Sequence, residues 1–141
     1  MQSTVKPSPI ALVVCDTIYQ EPGGKLALVG LFNGVVATQF PAGHARLAVF
    51  ASATGVRPNS HAKIEIVHAE NETRVVVSAE GPFPVDANPL SIVDLSFIFN
   101  NLVFPEAGTY YVRFWGNNNL LLMRPFQVAE AKKQEPKNDN S

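Results

Sequence analysis

The sequence predicts an all-β protein, an immunoglobulin-like antiparallel β-sandwich of about seven to nine strands. Apolar and polar residues alternate with period two along short stretches, as where Val93, Leu95, Phe97 and Phe99 interleave with Asp94 and Ser96. Clusters of Gly, Pro and Asn separate these stretches at short intervals. The run Phe104-Pro105-Glu106-Ala107-Gly108-Thr109-Tyr110-Tyr111-Val112 has the make-up of a tyrosine corner. In that motif a Tyr hydroxyl bonds backbone a few residues upstream, two positions before a core site often filled by Cys. Val112 holds that site here, so the corner needs no disulfide.

Each element follows from its local pattern. Residues 1–9 are polar with two prolines and read as an arm, and the sandwich occupies 10–128. Ile10 to Gln20 is a first strand with apolar residues on both faces. Glu21-Pro22-Gly23-Gly24-Lys25 is a turn, because Pro presets the first turn dihedral and Gly supplies the positive one. Leu26 to Asn33 returns, and Gly30 inside it marks a bulge or a close backbone approach. Asn33-Gly34 turns into the short run Val35-Val36-Ala37, and Phe40-Pro41-Ala42-Gly43-His44 reads as loop.

Arg46 to Thr54 is the next strand, and Lys63 to Ala69 with Arg74 to Glu80 forms a hairpin over a polar tip. β-Branched density argues against a helix there. A crossover punctuated by Pro82, Pro84 and Pro89 leads to a strand over Leu90 to Asn100. After the corner, Tyr110, Val112 and Phe114 face in, while Tyr111, Arg113 and Trp115 face out. The last strand, Leu120 to Val128, contains Pro125, which requires an edge or a bulge. A parity shift at that proline would turn Leu121, Met123, Phe126 and Val128 inward together. Residues 129–141 are polar and read as a disordered tail.

Composition excludes several classes of function. The chain has 141 residues, enough for one domain with its own core. Its formal charge of −1 gives no basic excess for nucleic acid and no polybasic face for anionic membranes. The single cysteine, Cys15, permits no intrachain disulfide and fits a reducing, cytoplasmic setting. The apolar run Ile10 to Cys15 is too short for a secretory core, and Pro7 and Pro9 interrupt its approach.

Two blocks carry a resemblance: Ala11-Leu12-Val13-Val14-Cys15-Asp16 with Gly23-Gly24-Lys25-Leu26 and Gly30-Leu31-Phe32-Asn33, and the Phe104 to Trp115 corner. Over most of residues 11–128 the chain resembles an uncharacterised family of short, single-domain bacterial proteins, a domain of unknown function. The resemblance implies a stand-alone bacterial domain and brings no site residue or cofactor with it.

No catalytic constellation stands out, and the chain is read as a non-enzyme without metal or cofactor. Cys15 sits in an apolar strand beside Asp16, which suits a small core residue better than a nucleophile. His68 and Glu70 share a strand face, but no second ligand pair has metal-site spacing. Asn71-Glu72-Thr73 has the form of a glycosylation acceptor, which is empty without export. The leading expectation is a protein-interaction or assembly module that binds a protein partner or itself. Outward Tyr111, Arg113 and Trp115 are the candidate binding residues, since aromatics with Arg suit protein interfaces. The alternative is a carbohydrate-binding module using Tyr111, Trp115, Asn117, Asn118 and Asn119, since aromatic and amide groups suit sugars. For self-association the candidate residues are Val13, Tyr19, Val29 and Leu31, the surplus apolar face of the first hairpin.

Overall fold

The computed structural model describes residues 1–84 and 88–132. Nine strands form two sheets, with no helix among the described residues. They are β1 (Ser8–Gln20), β2 (Leu26–Leu31), β3 (Gly34–Ala37), β4 (Ala42–Thr54) and β5 (His61–His68), then β6 (Val75–Pro82), β7 (Val93–Phe104), β8 (Gly108–Gly116) and β9 (Asn119–Glu130). The first sheet runs β2-β1-β4-β7 and the second β3-β9-β8-β5-β6. All pairings are antiparallel except β3 with β9, which is parallel.

The core lies where the alternating faces meet. Val14 of β1, Leu47 and Val49 of β4, Ile64 and Ile66 of β5, and Val112 and Phe114 of β8 are fully buried there. Each such side chain contributes about 1.5–3 kcal/mol of burial. Phe104, Tyr110 and Phe126 form a connected aromatic group, with centroids 5.2 Å apart for Phe104–Tyr110 and 5.7 Å for Phe104–Phe126. The corner has the expected geometry: Tyr110 donates its hydroxyl to the Glu106 carbonyl at 2.6 Å. On the open side of the sandwich, Arg124 reaches from β9 to donate to the Leu12 carbonyl at 2.6 Å and to the Asn33 side chain.

Several boundaries differ from the sequence expectation. Ala42–His44 is strand rather than loop, because it pairs with Leu102–Phe104 and buries Ala42 against Phe104. The strand expected from Leu90 begins instead at Val93. An Asx turn holds the preceding residues, with Asn88 Oδ1 accepting from the Leu90 amide, so Leu90 and Ile92 stay exposed. The parity shift in β9 occurs at Leu121, not at Pro125: β8 pairs Phe114 with Leu122 but Trp115 with Leu120. Leu121 is therefore buried, and Met123 points outward. Pro125 sits before β9 meets β3, whose pairing starts at Gln127.

The arm and the last strand also run differently from their expected limits. β1 begins at Ser8, and the residues before it dock on the end of the second sheet. There Pro7 is buried, and a Cβ on Gly116 would come within 3.0 Å of its ring. Ser3 donates to the Asn59 carbonyl, and Asn117 donates to the Val5 carbonyl. β9 pairs through Glu130, and Ala131 still donates to the Ala37 carbonyl. The expected tail from 133 onward lies outside the described residues. Gly30, at φ +73°, leaves room for the Asp16 carboxylate, which a Cβ would strike.

Tyr110→Phe is expected to destabilise by about 1–2 kcal/mol in urea melts, because it strands the Glu106 carbonyl at the corner. Tyr111→Phe, on the opposite face, should leave the midpoint unchanged. Equal midpoints for the two variants would reject the corner assignment.

Candidate functional site

Two outer faces hold the candidate residues, and their chemistry differs. On the second sheet, β5 and β8 pair Lys63 with Trp115, Glu65 with Arg113 and Val67 with Tyr111. These residues face away from the core. Glu65 is the centre of the group and is only 3% exposed. Its Oε1 accepts from Arg113 Nε at 2.9 Å, from Arg113 Nη2 at 2.6 Å and from Trp115 Nε1 at 2.7 Å. Lys63 Nζ lies 3.5 Å from Oε2, and Arg113 Nη1 also meets Glu72 at 3.3 Å. The Arg113 and Lys63 cations stand 5.2 Å and 5.7 Å from the Trp115 ring centroid.

The sequence reading picks out Tyr111, Arg113 and Trp115 but misses Glu65. The signal is present: Glu65 lies between Ile64 and Ile66, so it must point opposite to the core, where Arg113 faces it across the strands. Arg113 and Trp115 thus spend their polar groups within the chain. Two of the three asparagines do likewise. Asn117 is buried, accepts from the His61 amide at 2.8 Å and donates to Val5 and Ser60. Asn119 donates to the Gly116 and Asn117 carbonyls within the turn. Asn118, at φ +63°, borders a hollow of about 240 Å³ shared with Gln2, His61, Lys63, Glu80 and Trp115.

At the corner, a second hollow of about 230 Å³ lies among His68, Arg74, Glu106 and Tyr110. Arg74 bonds Glu106 at 2.8 Å, and His68 Nδ1 lies 3.5 Å from the same carboxylate. Burial, reinforced by the Arg74 charge and opposed by Glu106, lowers the His68 pKa. Tyr110 is raised, chiefly by burial. No trio of His, Cys, Asp or Glu among the described residues is grouped to hold a metal ion.

The first sheet presents the opposite character. Leu12 and Val14 enter the core, so Val13 and Cys15 face out; Leu47 and Val49 enter, so Ala48 and Phe50 face out. Pairing aligns Leu31, Cys15, Ala48 and Ile98 in one row across all four strands, with Val13, Phe50 and Ser96 in the next. Thr17 with Val29, and Tyr19 with Ala27, extend this surface along the first hairpin. Leu31 is 67% exposed, Tyr19 58%, Val29 44% and Ile98 42%. The small Cys15 and Ala48 are fully covered between these larger neighbours. Burial is the main cause of the raised Cys15 pKa, which keeps its thiol protonated.

Leu31 and Ile98, at the two ends of that row, remain open to solvent. The arm docks at the Asn59 and Asn117 end of the second sheet, and Phe40 packs against the core. The protein is therefore a small all-β sandwich with one ion-knitted outer face and one apolar outer face. A family model matches residues 10–129, so the chain belongs to DUF6941, a family of unknown function. No curated protein matches the chain. No helix among the described residues is long and apolar enough to cross a membrane.

Glu65→Ala should destabilise by about 3–5 kcal/mol, because it leaves Arg113 half-buried without its main counter-charge. Replacing Glu65 and Arg113 together with Met should recover most of that loss in chemical denaturation; a double variant as weak as the single would reject the pairing.

The lowered His68 pKa has a definite sign. The unfolded chain takes up a proton on His68 at higher pH than the folded one does, so this group's contribution to stability falls as pH drops below about 6.5. Urea midpoints should decline between pH 7.5 and 5.5, and His68→Gln should flatten that decline. An unchanged slope in the variant would assign the effect elsewhere.

Proposed function

We propose that this chain is a non-catalytic protein-interaction or assembly module, an immunoglobulin-like sandwich of the bacterial cytoplasm. It meets its partner through the outer face of β2-β1-β4-β7. The observation that carries this reading is the Leu31–Cys15–Ala48–Ile98 row, apolar across four strands, with Leu31 and Ile98 at its two ends open to solvent. A sandwich sheet needs only one buried face, and soluble monomers rarely expose a contiguous apolar second one. Burial of such a face is the main source of association free energy. The buried, protonated Cys15 thiol in this face suits a reducing compartment.

A carbohydrate-binding role is the second reading, and the hollow beside Trp115 favours it. An aromatic edge, an amide and a carboxylate converge there in Trp115, Asn118 and Glu80. Binding on a glycan array that Trp115→Ala abolishes would support it. Silence of the array leaves the protein interface as the working face.

Val29→Lys combined with Leu31→Glu should leave thermal melting nearly unchanged, because both side chains are already well exposed. The same variant should show the 15.3 kDa monomer mass in light scattering at concentrations where the parent chain is larger. Unfolding would assign this face to the core instead.

A further inference from the structure

We propose that the partner of the first sheet's outer face is a second copy of this chain, packed sheet on sheet with its strands running antiparallel. This rests on the assembly reading above and adds the identity and orientation of the partner. Among the described residues that alternate onto this face, the charged ones are Arg46 and Asp94, and they stand at opposite ends. Arg46 pairs laterally with Asn100, and Asp94 with Ser52. Both are exposed. Six residues separate the two levels along β4, about 20 Å at the rise of an extended strand. The apolar rows through Ala48 and Phe50 lie between them.

A twofold axis in the plane of the face must relate the copies. If it runs across the strands between the Ala48 and Phe50 rows, each row exchanges with the other. The half-buried Phe50 of one copy then stands at the Ala48 level of the second, between its exposed Leu31 and Ile98. The same rotation lays Arg46 and Asn100 over Ser52 and Asp94 of the second copy, so each end of the interface joins a cation to an anion. An axis along the strands instead sets Arg46 against Arg46 and Asp94 against Asp94, which like-charge repulsion disfavours. The antiparallel arrangement is thus selected by charge.

The area suffices. Four strands give a face about 19 Å wide, and Ala11 to Tyr19 gives about 30 Å of length, a footprint of roughly 600 Å². Side-chain relief brings the accessible area near the ~800 Å² per partner of a standard interface. Packing at about 10 Å between sheets, with strands crossing near 30°, repeats the geometry of a sandwich core.

Sedimentation velocity across a concentration series tests the arrangement, with melting curves confirming that each variant is folded. Arg46→Asp and Asp94→Arg should each weaken dimerisation by about tenfold or more, since each sets two like charges together at both ends. The combined Arg46→Asp, Asp94→Arg chain should return to within about threefold of the parent Kd, and added salt should shrink all these differences. A parent dimer that Val29→Lys with Leu31→Glu disrupts, but that both single charge changes leave intact, would overturn the antiparallel arrangement while keeping the face. A parent chain that stays monomeric at high micromolar concentration would overturn both.

Discussion

The Tyr110 hydroxyl bond to the Glu106 carbonyl fixes the point where the chain leaves one sheet and enters the other. β7 belongs to the first sheet and β8 to the second, so this corner sets the relation of the two layers. The Tyr110 ring continues the constraint inward. It packs edge-on to Phe104, which stacks on Phe126, which meets Phe32 at 5.8 Å. These rings come from β7, β8, β9 and the link after β2, so one aromatic series ties both sheets together. Val112, two residues beyond Tyr110, fills with apolar volume the place where a disulfide could have crossed.

The two outer faces solve the same problem in different ways. A sandwich leaves each sheet with a second side, and that side must be polar, covered or used. On the second sheet, Glu65 gathers Arg113, Trp115 and Lys63 into a net in which the polar atoms bind one another and the indole lies against two cations. Its residues are of the kinds that binding surfaces use, yet their groups are largely engaged. The first sheet carries no comparable net between Arg46 and Asp94. Its surface instead resembles a core face without an opposing layer.

Tyr110 is legible in the sequence because a corner depends on local spacing, and the Glu106-to-Tyr110 interval is set within one turn. Gly30 is legible for a similar reason, as a glycine amid β-branched and apolar neighbours. The period-two stripes identify Val13 and Cys15 as facing away from Leu12 and Val14, and the pairing agrees. The harder features depend on residues distant in sequence. Ala42–His44 is a strand only because Leu102–Phe104 lies beside it, and the bulge at Leu121 is defined by register with β8. Glu65 follows the same rule, since its partner Arg113 lies 48 residues away. Turn chemistry at Asn88 hides the true start of β7 behind the apolar Leu90 and Ile92.

The parallel pairing of β3 with β9 governs how the sandwich would bear tension. Gly34 to Ala37 runs beside Gln127 to Glu130 in the same direction, flanked by bonds from Gln127 to Asn33 and from Ala131 to Ala37. A pull on the chain beyond Glu130, opposed by a pull on the segment before Gly34, draws these strands past one another along their length. Every bond of the pair is then loaded together, whereas a hairpin opened at its end yields one bond at a time. The short β3 would act as a mechanical clasp on the end of the last strand.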